Sequence, residues 1–175
     1  MENGFLTKKY LLVVLLVFIV LFFATYGLAE QAYLTTTPKA ANQTLTQINS
    51  IRQGVSPESI FLNNFLVSIL AIVPIGGLIF FGRVWINTGQ TIGQLAYANN
   101  ISPLPYVIGV YIPVGTIENL GYSVIIAEGL FLTYALAKGT VVDRLRHETW
   151  KSLILYLSLL AIAAVVESTL ITGHL

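Results

Sequence analysis

The sequence predicts an all-α protein: a polytopic transmembrane helical bundle of about five spans plus one broken or re-entrant half-helix. Three observations carry that prediction. First, of 175 residues 55% are hydrophobic and only 10% charged, with mean hydropathy +0.78. An ordinary soluble domain has about a quarter of its residues charged. Second, apolar runs approach or exceed the ~20 residues that a helix needs to cross a bilayer. Third, basic residues gather between those runs, as they do in cytoplasmic loops. The whole chain, 1–175, reads as a single integral membrane domain.

The first span is 10–28, preceded by Lys8 and Lys9. A secretory signal has a similar layout, but its apolar core runs ~7–15 residues. The longer run here reads as a retained span.

Residues 30–58 form the only long polar segment and read as an external loop. Leu45, Ile48, Ile51 and Val55 recur at helical spacing within it, which predicts a short amphipathic helix lying on the membrane or the bundle. Asn42-Gln43-Thr44 is a glycosylation sequon at Asn42.

The second span is 59–82. Ser56-Pro57-Glu58 supplies a helix start, Pro74 and Gly76-Gly77 a kink, and Arg83 an end. The third span, 84–100, is short and polar. Residues 101–139 are too many for one crossing, so Pro113 and Gly115 are read as dividing them. They give a half-helix at 103–112 and a fourth span at 114–137. A charged cytoplasmic loop, 138–151, leads to the fifth span, 152–173. Placing Lys8, Lys9, Arg83, Lys138, Arg144, Arg146 and Lys151 on one side puts the N-terminus in the cytoplasm and the C-terminus outside, in a plasma membrane.

Several polar residues lie inside this apolar chain. Asn87, Gln90, Thr91, Gln94 and Ala98 share one helical face. Gly89 and Gly93 form a small-xxx-small pair on a neighbouring face, which lets another backbone approach. The face is either packing glue or the lining of a polar path.

Glu118 shares a side with Gly115, Tyr122, Ile125 and Gly129, and Glu128 lies a quarter turn away. Carboxylates at membrane depth are costly and need partners. For Glu118 these are the amides of Asn87, Gln94, Asn63 or Asn64, together with free N–H groups at a helix start near Pro113 and Gly115. The expected buried polar core or path is therefore Glu118, Asn87, Asn64, Gln94 and Glu128. Gly89, Gly93, Pro113 and Gly115 provide packing or a break. Glu167 reads as interfacial.

Nothing points to catalysis. Both histidines, His147 and His174, fall outside the spans. There is no HExxH, GxSxG or P-loop, and Ser68, Ser123, Ser158 and Ser168 have no base nearby. No catalytic residue, metal site or cofactor is expected. The absence of cysteine excludes disulfides and thiolate chemistry. A net charge of +1 argues against nucleic acid.

Three motifs in order, "FLNNFLVSILAIVPIGG", "NTGQTIG" and "YIPVGTIENLGYSVIIAEGL", resemble the signatures of the stage II sporulation protein M family, also catalogued as a domain of unknown function. The similarity covers about 61–136. It implies a polytopic helical membrane protein with Asn64, Asn87, Gly89, Gly93, Pro113, Gly115 and Glu118 as signature positions. The namesake is a membrane scaffold for peptidoglycan-degrading enzymes. Where that family often has a histidine before the glycine, this chain has Val114. The Ile, Tyr and Thr content and the sequon suit an archaeal member.

The expected function is thus a non-enzymatic membrane scaffold or assembly subunit. Its expected partners are the lipid bilayer and other membrane proteins, as a homo-oligomer or within a larger complex. The alternative is a small transporter or channel-like component. Burial of Glu118 favours the first, and a cavity reaching it from one face favours the second.

Overall fold

The computed structural model describes residues 4–52 and 55–172, and all their regular structure is helical. Helix α1 (Lys8–Thr35) is followed by α2 (Pro38–Arg52) and α3 (Pro57–Ser68), which ends in a 3₁₀ turn, Ile69–Ile72. Then come α4 (Gly76–Ala98), α5 (Pro103–Tyr106), α6 (Ile112–Ala137), α7 (Val141–Arg144) and α8 (Trp150–Thr172). Three helical stretches are long and apolar enough to cross a membrane: Lys8–Thr35, Gly115–Ala137 and Val141–Ile171.

The expected segmentation changes at three places. The first is Arg83, expected to separate the spans 59–82 and 84–100. It lies inside α4, which runs unbroken from Gly76 to Ala98. The reversal comes earlier, at Pro74. There Gly76 N–H donates to the Pro74 carbonyl at 2.7 Å, and Ile75 has φ 61° and ψ −65°. These values describe a γ-turn of the rare, strained kind. Proline has no N–H with which to continue the preceding turn.

The second place is Pro113, expected to end a half-helix at 103–112 and begin a span at 114. It lies instead within a continuous helical stretch. A π turn, Val107–Tyr111, links α5 to α6, and Ile112 N–H reaches back to the Val107 carbonyl. A proline ring disturbs the helical turn that precedes it, and a widened turn absorbs this without a break. Glu118 therefore does not sit at a free helix start.

The third place is the expected loop 138–151, which is helical from Val141 onward, through a π turn at Leu145–Thr149 into α8. Only a tight corner separates α6 from α7. Gly139 adopts φ 70°, with Thr140 N–H bonded to the Ala135 carbonyl and Gly139 N–H to that of Leu136. This is the glycine-dependent Schellman ending of a helix. The last residue of the expected fifth span, 173, lies outside the described residues, as does His174.

Contacts set the directions. Along α1 and α4, Leu28 meets Gly89, Ala29 and Ala32 meet Gly93, and Tyr33 packs on Tyr97. The two helices therefore run parallel. A methyl group at Gly93 would overlap the Ala29 carbonyl oxygen, so this backbone contact requires glycine. Helix α6 runs opposite to α1, since Tyr10 stacks on Phe131 while the other end of α1 meets α5. Helix α8 runs back along α6, with Ser152 beside Glu128 and Leu160 beside Gly121.

Together, α3, its 3₁₀ turn and α4 make a hairpin. Both arms open at the end of the bundle where α1 terminates, and the tip lies inside. The Ala71 carbonyl abuts Gly129, where a side chain would overlap it. Helix α6 continues eight residues past that level to Ala137, about 12 Å at 1.5 Å per residue. The chain thus reverses within α3–α4, while 103–112 continues into α6 as one helical stretch.

Helix α2 lies across the open end of this hairpin. Leu45 and Ile48 pack against a cluster that includes Ala29, Ile92 and Leu95, and Thr44 Oγ1 donates to Gln94 Oε1 at 2.6 Å. Asn42 is exposed on its surface. The Ser56 hydroxyl caps α3 and holds the exposed Glu58 carboxyl below its usual range.

Candidate functional site

The expected buried polar core divides into three separate places. Glu118, on α6, accepts a hydrogen bond at Oε1 from Asn64 Nδ2 on α3. The side chain is half-buried. Asn87 is exposed on α4 and does not bond Glu118, although both line the same groove. Gln94 turns the other way and joins α2 through Thr44. Glu128 lies ten residues beyond Glu118 on α6, about 15 Å along the axis, and belongs to a different cluster.

The groove has a volume of about 740 Å³ and lies among α3, α4, α6 and the end of α8, with the final turn of α2 at its mouth. It exists because α4 packs on α1 while α6 packs on α8, so α4 and α6 touch only weakly along their lengths. Its lining includes the apolar Ile48, Ile51, Ile60 and Ile92. Interleaved with Ile60 and Ile92 on α3 and α4 are the polar Asn64, Asn87, Thr88 and Thr91, and α6 and α8 add the carboxylates of Glu118 and Glu167. Gly115 also lines it. Glu167, expected at an interface, joins Glu118 here because α8 returns antiparallel to α6.

Among the described residues, the groove's lining on α6 ends at Glu118. Beyond Glu118 the helices close over Ser68, which pairs with the Tyr156 hydroxyl at 2.7 Å. Deeper still is Glu128, which is fully buried. Its Oε1 accepts from Arg144 Nε at 2.9 Å and Thr149 Oγ1 at 2.8 Å. Its Oε2 accepts from Arg144 at 2.7 Å and Ser152 Oγ at 2.8 Å. Tyr10 donates to Ser152 at 2.9 Å, and the Arg144 guanidinium lies 4.6 Å from the centre of the Phe131 ring. A bidentate arginine and two hydroxyls satisfy the carboxylate completely. This cluster ties α1, α6, α7 and α8 together and seals that end.

Sequence reasoning missed Arg144, Thr149, Ser152 and Tyr10. It assigned Arg144 to a surface loop because the segment is charged. A helical reading from Val141 would have placed Arg144 and Ser152 two turns apart on one face, toward Glu128.

Comparisons with protein-family models, curated proteins and solved structures find no match for this chain.

Proposed function

We propose that this is a non-enzymatic integral membrane protein acting as a small transporter or channel-like component, in which Glu118 receives a cation or protonated group from the groove. One observation supports this reading most: a half-buried carboxylate ends a one-sided groove, with a sealed cluster beyond it. Discontinuous and re-entrant helices often build such sites in transporters. On this reading the chain makes three crossings, by α1, α5–α6 and α7–α8, with α3–α4 as a re-entrant hairpin. The groove then faces outward, and the lysine-rich end faces the cytoplasm.

The test is cation entry into liposomes carrying the purified protein, followed with an interior pH dye for protons and a fluorescent organic cation. Glu118-dependent entry of either probe, lost in Glu118→Gln, is the expected result. Rates equal to protein-free liposomes for both probes would overturn the reading.

A second reading, an assembly subunit of a membrane or envelope complex, draws on exposed Arg83 at the level of the apolar part of α1. It also draws on the motif resemblance to the sporulation protein M family. Purification from native membranes tests it: stoichiometric co-purification of a second membrane protein is expected, and recovery of this chain alone would count against it.

A further inference from the structure

The lipid-facing side of α4 carries a charge that the bundle does not use. Arg83 is exposed and forms no hydrogen bond or ion pair among the described residues. Its depth follows from the parallel packing of α1 and α4. Gly89 meets Leu28, so Arg83, six residues earlier, lies near residue 22, well inside the apolar run 10–28. Asn87 and Gln90 follow on the same face, both exposed, flanked by exposed Ile79, Phe80 and Ile86. Beside this stripe lies the groove with its two carboxylates, and Asn87 belongs to both.

Depths match as well. Tyr122 packs on Phe81 and Trp85, which brackets Arg83 at the Tyr122 level. Glu118 is four residues away, about one turn or ~6 Å, within the length of an arginine side chain. One patch thus carries a cation and the Glu118 carboxylate at nearly the same depth, with Glu167 about one turn further toward the α2 end. A two-fold axis along the membrane normal preserves depth and makes such a patch complementary to itself.

We infer that α4 docks on a second copy of this chain, each Arg83 reaching the groove carboxylates Glu118 and Glu167 of its neighbour. The axis passes beside Asn87, which lies between the two halves of the patch. The inference goes beyond the transport reading: a docked Arg83 competes with a cation for Glu118, so cation entry belongs to the undocked chain, and either can fail without the other.

The chain has no cysteine, so an introduced thiol is the only one present. Asn87→Cys, oxidised in proteoliposomes, should form a disulfide-linked dimer. Leu12→Cys, on the exposed face of α1, should not. Adding Arg83→Leu should abolish the Asn87→Cys cross-link while leaving thermal unfolding intact. Arg83→Glu combined with Glu167→Arg should restore it. Equal cross-linking of Asn87→Cys and Leu12→Cys, or a cross-link that survives Arg83→Leu, overturns the inference. So does a monomer that retains anionic phospholipid through Arg83, which would assign the arginine to a headgroup.

Discussion

At the scale of single residues, two glutamates ten positions apart on α6 have opposite circumstances. Glu118 has one amide partner and an open groove. Glu118→Gln keeps a polar group opposite Asn64 and should leave the melting temperature nearly unchanged. Glu118→Leu leaves that amide unpaired and should cost about 1–3 kcal/mol, read by thermal unfolding in detergent. Glu128 is saturated by four donors. Removing Arg144 alone, as Arg144→Leu, strands a buried carboxylate and should cost about 3–5 kcal/mol. The double variant Glu128→Leu with Arg144→Leu should recover much of that loss, because a charge pair replaced by apolar groups needs no counter-charge. An additive double variant would contradict the pairing. That both carboxylates needed partners was legible from the apolar context. Which partners they take was not, because hydrogen bonds between distant segments depend on helix directions that periodicity does not encode.

At the scale of elements, breaks depend on backbone geometry more than on residue type. Pro74 and Pro113 look alike in the sequence, yet the first ends a helix arm and the second is absorbed by a π turn. The difference lies in their surroundings. At Pro74 the chain reverses so that Gly77 can pack against the Leu70 carbonyl and Ala71. At Pro113 the helix continues, with Ile112 N–H bonded back to the Val107 carbonyl across the π turn. The amphipathic α2 was legible because Leu45 and Ile48 alternate with polar residues at helical spacing. The limits of α4 were not, because Arg83 resembles a membrane boundary by charge alone. Ile75 is a branched residue held at positive φ. Replacing it with glycine should relieve strain and raise stability by about 1 kcal/mol, seen as a higher melting temperature. A lower one would mean that the turn is not the strained γ-turn described. Gly93→Val should act oppositely, separating α1 from α4 at a cost of about 1–3 kcal/mol.

At the scale of the whole molecule, two pairs of helices, α1 with α4 and α6 with α8, are joined firmly where α1 meets α6 and loosely where α4 faces α6. The loose seam is the groove, and the Glu128–Arg144 cluster closes the opposite end. The all-helical, membrane-compatible character was plain from composition. The α3–α4 hairpin was read as two spans divided at Arg83 because its two arms together are long enough to look like two full crossings. The central claim is that Glu118 is reachable from one side only. Glu118→Cys, in this cysteine-free chain, should react in sealed proteoliposomes with a membrane-impermeant thiol reagent applied on the α2 side. Lys39→Cys marks that side and Thr140→Cys the other. Labelling of Glu118→Cys together with Lys39→Cys is the predicted result. Protection until the protein is denatured, or labelling together with Thr140→Cys, would contradict it.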